Sequence, residues 1–415
     1  MMRLLYLSHD GVLEPLGRSQ VLPYLRGLAA RGARITLLSF EKPGDRKQPG
    51  QEDAVRAALE AQGIRWAPLT YHRRPPLLAT AWNMAVGTLR ACRLARRERI
   101  HAVHARSYVA GLMGWCVKRA CGARLLFDMR GFWVDERAEA GAWPAGGARY
   151  RCGKRVERLL LDSADEIITL TEQARRTVGA WLRGRGARIT VIPTCVELER
   201  FAPAARRSAS GRAPVFIYAG SVAPWYLPRA LFDFVRQALA RYPDARLVVL
   251  TREREAALRE LKASGLPADR VTIATADPAE VPGWLAQAHA GLAFYRPGFS
   301  RQGTCPTKAG EYLAAGLPVV VNAGVGDVEE VIGAAGVGAV IAEVSPQALE
   351  RALDALERLW ADPALAARCR RAAETRFRLD LGVERYLAAY QRLCAPAVGM
   401  ADAARPAPAR AQVAG

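Results

Sequence analysis

The feature that most constrains this chain is a repeated alternation of short apolar runs with stretches of helical periodicity, interrupted once. In the first half, residues 4–8, 35–40, 64–69, 102–104, 125–128, 167–170 and 189–192 read as strands. Between them, 20–30, 52–62, 77–97, 109–120, 149–162 and 172–182 read as helices, and 9–19 as a glycine-containing loop. The second half restarts at 215–219, with further strands at 247–250, 271–274, 291–294 and 317–321. Helices are expected at 227–240, 253–263, 281–287, 307–315, 346–360, 363–377 and 383–393. Alternation of this kind predicts an α/β fold, with a doubly wound parallel sheet covered by helices on both faces. The interruption, 201–214, is rich in Pro, Ala, Ser, Arg and Gly and has no periodicity, so it reads as a linker. The expected domains are therefore 1–200 and 215–380, followed by a last helix at 381–395 and a disordered Pro/Ala-rich tail at 396–415.

A length of 415 residues agrees with two or three domains, and 51% hydrophobic residues suffice for full-sized cores. No apolar run is long enough to span a membrane, and the N-terminus lacks the pattern of a signal peptide. Eight scattered cysteines without a CxxC pair point to reduced thiols and a cytoplasmic protein. The net charge of +20 admits anionic partners. Nucleic acid is not among those expected: no helix-turn-helix, zinc-finger or RRM signature is present, and the arginines are spread along the chain rather than interleaved with aromatics.

The densest local pattern is CPTKAGEYLAAGLPVVVNAGVGDVEE, residues 305–330. Pro306 opens a helix, Gly316 and Pro318 stop it, and 317–321 is apolar throughout, as suits a strand buried on both faces. Lys308 and Glu311 share one helix face at i, i+3. A helix start and glycine loops beside a parallel sheet suit phosphate groups, and a carboxylate can accept hydrogen bonds from ribose hydroxyls. On the pattern alone, an ordinary αβ unit with a surface Lys–Glu pair remains open.

This stretch resembles the donor-site segment of family 4 glycosyltransferases, retaining enzymes of the two-domain GT-B fold. VIPTCVELERF, residues 191–201, is similar to the joint between that family's domains. The resemblance covers roughly residues 1–394. It implies two Rossmann-like domains facing across a cleft, with the last helix crossing back onto the first domain. It implies that Glu311 binds the ribose of a nucleotide-sugar. Many members carry a second glutamate eight positions earlier, where this chain has Gly303.

Expulsion of a diphosphate needs stabilised negative charge. The chain has no Asp-x-Asp motif and no clustered His/Asp ligands, so no metal or other cofactor is expected. Cationic side chains, backbone N–H groups and helix N-termini serve instead. Candidates on the donor side are Gly220 and Ser221 after the strand at 215–219, Arg252 after that at 247–250, and Arg301, Thr307 and Lys308. Lys308 and Arg301 are the expected replacements for the Arg and Lys that many members place near Ser221. In the first domain, Gly17, Arg18 and Ser19 resemble the family's first glycine loop, on the acceptor side. His104, Arg106 and Ser107 end one strand, and Asp128 and Arg130 end another, near where many members place a catalytic histidine. Asp128, Arg130 and His104 are the catalytic candidates. Each also has a structural reading: a lone strand-end histidine, and an Asp–Arg pair anchoring its loop.

Residues 77–97 are apolar first and basic later, with Trp82 near one end and Arg90, Arg93, Arg96 and Arg97 near the other. The segment reads either as a core helix with a solvated basic end or as an interfacial helix on anionic lipid, at the inner face of the cell membrane. Family 4 enzymes often act on lipid-linked acceptors. The resemblance thus implies transfer of a sugar from a nucleotide-sugar to a glycan or lipid-linked acceptor, in cell-surface polysaccharide or glycolipid assembly. Two rivals share the fold: a sugar-nucleotide epimerase, and a silent nucleotide-sugar-binding protein.

Overall fold

A computed structural model describes residues 2–46, 50–184, 187–202, 213–222 and 225–395. The first domain runs β1 (Arg3–Ser8), α1 (Pro15–Gln20), α2 (Leu22–Ala30), β2 (Arg34–Glu41), α3 (Gln51–Glu60), β3 (Ile64–Thr70), α4 (Pro76–Arg97) and β4 (Ala102–Arg106). It continues with α5 (Ser107–Cys121), β5 (Arg124–Asp128), α6 (Trp133–Glu139), α7 (Ala148–Ser163), β6 (Glu166–Thr169), α8 (Glu172–Leu182) and β7 (Arg188–Val191). Among the described residues its seven strands are all parallel, in the order β3-β2-β1-β4-β5-β6-β7.

The second domain begins with β8 (Val215–Ala219), α9 (Pro228–Arg241), β9 (Arg246–Leu250), α10 (Arg254–Ser264), β10 (Val271–Ala274), α11 (Val281–Ala286) and β11 (Ala290–Ala293). It goes on through α12 (Thr307–Ala314), β12 (Val319–Asn322), α13 (Val328–Ala335), β13 (Gly338–Ile341), α14 (Pro346–Trp360) and α15 (Leu365–Arg376). Its six strands among the described residues are parallel and lie in the order β10-β9-β8-β11-β12-β13. Strands such as β12 are buried along their whole length, as a sheet with helices on both faces requires.

Three local expectations need correction. Helix begins at Pro15, not after Ser19, because proline suits a first helical turn and the buried Gly17 lies against the backbone of Gly11 and Val12. The segment after β5 does not remain a loop: Trp133–Glu139 forms α6, anchored by Trp133 against Tyr108 and Trp143. A strand that the apolar pattern did not reveal, β13, closes the second sheet; it is only four residues long and begins with glycine. Most of the expected linker, at 203–212, and the whole expected tail, at 396–415, lie outside the described residues.

The last helix, α16 (Leu379–Cys394), packs on the first domain. Val383, Tyr386, Ala389, Tyr390 and Leu393 join the core cluster that holds Tyr24, Leu25 and Leu28 of α2. The two crossings between domains run side by side: Val196 N–H donates to Phe377 O at 2.7 Å, and Leu379 N–H to Val196 O at 3.2 Å.

Beneath α16 lies a buried polar group. Tyr390 Oη is 2.6 Å from His104 Nδ1, His104 Nε2 is 3.3 Å from Asp128 Oδ2, and Tyr386 Oη donates to that same oxygen at 2.9 Å. Burial pushes His104 below its ordinary value, against an upward pull from Asp128. A neutral ring fits both contacts by donating Nε2–H to Asp128 and accepting the Tyr390 O–H. Burial alone would raise the Asp128 carboxyl, but Arg130, His104 and Arg106 outweigh it and hold the carboxyl below its ordinary value. Asp128 therefore stays a buried carboxylate, and each donor it keeps matters. Removing a hydrogen bond to a charged group costs about 1.5–3 kcal/mol. Tyr386→Phe should lower unfolding stability by about that amount, read from the shift in denaturant midpoint; an unchanged midpoint would mean that α16 is not tied down through Asp128.

Candidate active site

The order of the first sheet reverses direction between β1 and β4, and that of the second between β8 and β11. Open α/β sheets bind ligands outside the carboxyl ends of their strands at such reversals. Here both reversals border one cavity of about 500 Å³. Arg106 and Ser107 reach it from the end of β4, Met129 to Gly131 from that of β5, Gly220 from that of β8, and Tyr295 from just beyond β11. Lys308 and Glu311 enter from α12, and Trp133 and Glu136 from α6.

The cavity is closed by direct contacts between domains. Gln20, the last residue of α1, donates to Thr307 Oγ1 at 2.7 Å. Its Oε1 accepts from Arg106 at 3.2 Å and from Arg130 at 3.0 Å. One amide thus orients two guanidinium groups and ties them to the start of α12. Asp327 accepts from the Glu172 and Gln173 N–H groups at 2.7 and 3.3 Å, so a second-domain carboxylate satisfies the N-terminus of α8. The Ser300 N–H donates to Glu139 at 3.0 Å, and Phe132 and Phe299 pack with ring centroids 4.9 Å apart.

Gly303 sits in this seam. A Cβ there would meet Gly131 Cα and Phe132 Cδ2, each at 3.1 Å. Gly131 itself has φ +132°, a conformation that favours glycine. The position where the family resemblance leads one to expect a second glutamate is thus occupied by a close backbone approach between domains.

Lys308 is the most unusual group in the site. Its side chain is buried, and Nζ has no hydrogen-bond partner among the described residues. Nζ lies 3.8 Å from the ring centroid of Tyr218, 4.4 Å from that of Tyr226 and 5.7 Å from that of Tyr295. It also passes so close to Gly220, at φ +147°, that a Cβ there would be 2.8 Å away. Burial pushes the ammonium down to about 7, against a smaller upward pull from Glu311. The aromatic faces favour the charged form. Burial also raises Glu311, opposed by Arg200 and Lys308. Arg301, buried as well, is held by Ser300 Oγ at 2.9 Å and by Glu136 at 3.4 Å.

Of the donor-side candidates, Gly220, Arg301, Thr307, Lys308 and Glu311 line this cavity. Ser221 instead turns its hydroxyl to Glu253, at 2.8 Å from each carboxylate oxygen. Arg252 lines a neighbouring cavity of about 840 Å³ together with Arg18, Arg26, Arg200 and Asp277. Ser19 borders both cavities, and Gly17 borders neither. Among the catalytic candidates, only Arg130 reaches the cleft. His104 lies two residues deeper than Arg106 in β4, about 6.6 Å along the strand, and Asp128 is buried with it under α16; neither lines the cavity. Gln20 and the tyrosine cage were not among the sequence candidates. Only the glycine loop around Gln20 and the tyrosines flanking two strand ends hinted at them. Among the described residues, no three His, Cys, Asp or Glu side chains cluster as a metal site.

Two sequence profiles match the chain: one described as "Glycosyl transferase 4-like domain" over residues 18–195, the other as "Glycosyl transferases group 1" over residues 213–359. The chain is similar to the D-inositol 3-phosphate glycosyltransferase of Kineococcus radiotolerans, 25% identical over 238 residues that cover 54% of this chain and 53% of that protein. A D-inositol 3-phosphate glycosyltransferase of Mycobacterium marinum is 27% identical over 171 residues, 40% of this chain and 35% of that protein. The chain thus spans about half or less of the length of these curated relatives. Among solved structures, sucrose-phosphate synthase from Thermosynechococcus elongatus has a TM-score of 0.67 at 18% identity, covering 95% of this chain and 99% of that one. HepE of Anabaena in complex with UDP has a TM-score of 0.69 at 14% identity, covering 94% and 100%. At such identities the likeness is one of fold.

The seam at Gly303 gives a direct test. Forcing extra volume into a packed contact costs about 1–3 kcal/mol. Gly303→Glu should lower unfolding stability by that amount, read from the shift in denaturant midpoint; a midpoint equal to wild type would show that the domains do not close at this contact.

Proposed function

The chain belongs to the GT-B glycosyltransferases of the family-4-like kind, and on that premise we propose that it moves a sugar from a nucleotide-sugar donor to a glycan or lipid-linked acceptor, with retention and without a metal. The observation that carries this reading is the unpartnered Lys308 ammonium, caged by tyrosines and aimed with Arg301 into a cleft shared by both domains. When the bond from the anomeric carbon to the diphosphate breaks, negative charge grows on the departing phosphate. Lys308 and Arg301 meet that charge from fixed positions, where little reorganisation is needed. Glu311, one helical turn from Lys308, accepts hydrogen bonds from the donor's ribose. Arg252 and Arg200 face the nucleoside from the neighbouring cavity. Gln20 holds Arg106 and Arg130 toward the sugar and the incoming acceptor, and Ser19 lies on the acceptor side.

The solved relatives lend support: HepE of Anabaena has also been determined with UDP-glucose bound. The reaction belongs to cell-surface polysaccharide or glycolipid assembly, with the protein in the cytoplasm and peripheral on an anionic membrane. Among the described residues no helix is long and apolar enough to cross a membrane.

A panel of nucleotide-sugars, with donor binding followed by thermal shift and nucleotide release by turnover, tests the reading. Glu311→Ala removes a charge-assisted hydrogen bond, which contributes about 1.5–3 kcal/mol, so donor affinity should fall at least about tenfold. Equal affinity in mutant and wild type would refute the ribose role. Turnover should also survive excess EDTA, because the charge is met by side chains; a loss restored by Mg²⁺ or Mn²⁺ would overturn the metal-free mechanism.

A further inference from the structure

A further cavity, of about 760 Å³, shares no lining residue with the interdomain cleft. It lies at the free edge of the first sheet, between β3, α3 and α4. Five arginines line it, Arg46, Arg56, Arg65, Arg90 and Arg93, against two carboxylates, Glu52 and Glu60. Arg46 and Arg56 both pair with Glu52, and Arg65 pairs with Glu98. Arg90 and Arg93, on the α4 wall, make no ion pair among the described residues. The cavity is therefore built with cationic charge to spare.

The helix beside it is equally unusual. Ala79, Asn83, Gly87, Ala91, Leu94 and Ala95 form the buried face of α4. The Gly87 backbone comes so close to Met113 and Phe40 that a Cβ there would stand 2.6 and 2.7 Å from them. At 100° per residue, Leu78, Trp82, Ala85, Leu89, Arg93 and Arg96 fall on one opposite stripe. Leu78 is 70% exposed, and Trp82 and Leu89 are each 59% exposed, with Leu77 beside them at 73%. The apolar part runs about 16 Å along the helix. It ends at Leu89, which is also a wall of the arginine-lined cavity.

We propose that this cavity binds the anionic headgroup of a membrane phospholipid, while the α4 stripe lies in the headgroup–acyl boundary beside it. A free anion in water has use for the arginines but none for four large apolar side chains next to them. An amphiphile has use for both, and its polar and apolar parts are joined as Leu89 joins the cavity to the stripe. The site deepens the membrane part of the proposed function by naming where the lipid sits. It also orients the first domain, with the edge at β3 toward the bilayer.

The test uses the full chain and sedimentation with vesicles of phosphatidylcholine alone or mixed equally with phosphatidylglycerol, at low salt. Wild type should bind the anionic vesicles and barely bind the neutral ones. Arg90→Gln with Arg93→Gln should weaken binding to the anionic vesicles about thirtyfold. Trp82→Ser with Leu89→Ser should weaken it comparably, with every basic residue intact. Arg259→Gln with Arg351→Gln removes the same charge from the exposed surface of the second domain, and should change binding less than about twofold. These side chains are solvent-facing, so thermal unfolding should confirm that all variants fold. Equal loss in the second-domain control would reduce the effect to net charge and overturn the site. So would unchanged binding in either first-domain variant, or displacement of the vesicles by millimolar glycerol 3-phosphate, which marks a site for soluble anions. If wild type binds vesicles but the cavity variants do too, only the site fails and the membrane reading stands. If wild type binds neither vesicle, both fail, while donor binding by thermal shift is read separately.

Discussion

The cleft exists because two glycines let two backbones touch. Gly131 follows β5 in the first domain, Gly303 precedes α12 in the second, and neither carries a side chain that would hold the domains apart. Around that contact the polar bonds between domains fall into place: Gln20 to Thr307, Ser300 to Glu139, Asp327 to the start of α8. Each is modest alone, because forming a hydrogen bond within the protein gives up one to water. Together they set the distance between the two strand-end edges, and with it the size of the cavity that collects Arg106, Arg130, Arg301 and Lys308.

Lys308 shows what that enclosure does to a charge. An ammonium without a hydrogen-bond acceptor is costly to bury, and burial accordingly pushes its ionisation down to about 7. Three tyrosine rings offset part of that cost without offering an acceptor of comparable strength. The result is an amine with no hydrogen-bond partner among the described residues, poised to take up its charge against an anionic partner. In the proposed reaction a departing diphosphate is that partner, and a contact made as its negative charge develops is strongest where it accelerates the reaction.

The pair His104 and Asp128 is occupied differently. In a strand that ends in Arg106, a step of two residues separates a side chain in the cleft from one sealed beneath it. Tyr386 and Tyr390 of α16 close over the pair and use its polar atoms to fasten the chain's last helix to the first domain. Asp128 still bears on the site at one remove, 3.9 Å from Arg130 and holding that guanidinium by charge.

Much of this protein was legible residue by residue. The βα alternation and the helix carrying Lys308 and Glu311 on one face are local properties, and local periodicity encodes them directly. The family joint at Val191–Phe201 was equally plain as a string of residue types. Which candidates meet was not legible, because it depends on contacts between segments far apart in the chain. Gln20 and Thr307 are 287 positions apart, and His104 and Tyr390 are 286 apart. No spacing rule tells a strand-end histidine that a helix from the other end of the chain will cover it, or a glutamine at a helix end that it will hold two arginines. Ser221 turned to Glu253 for the same reason, since a side chain's direction past a strand end is decided by its neighbours, and Arg252 came to line the neighbouring cavity rather than the cleft itself. The sequence by itself determined most of the elements, the two-sheet plan and the chemistry available; only the tertiary structure decided which groups face the cleft, because burial and distance belong to the packed domains and not to the order of residues.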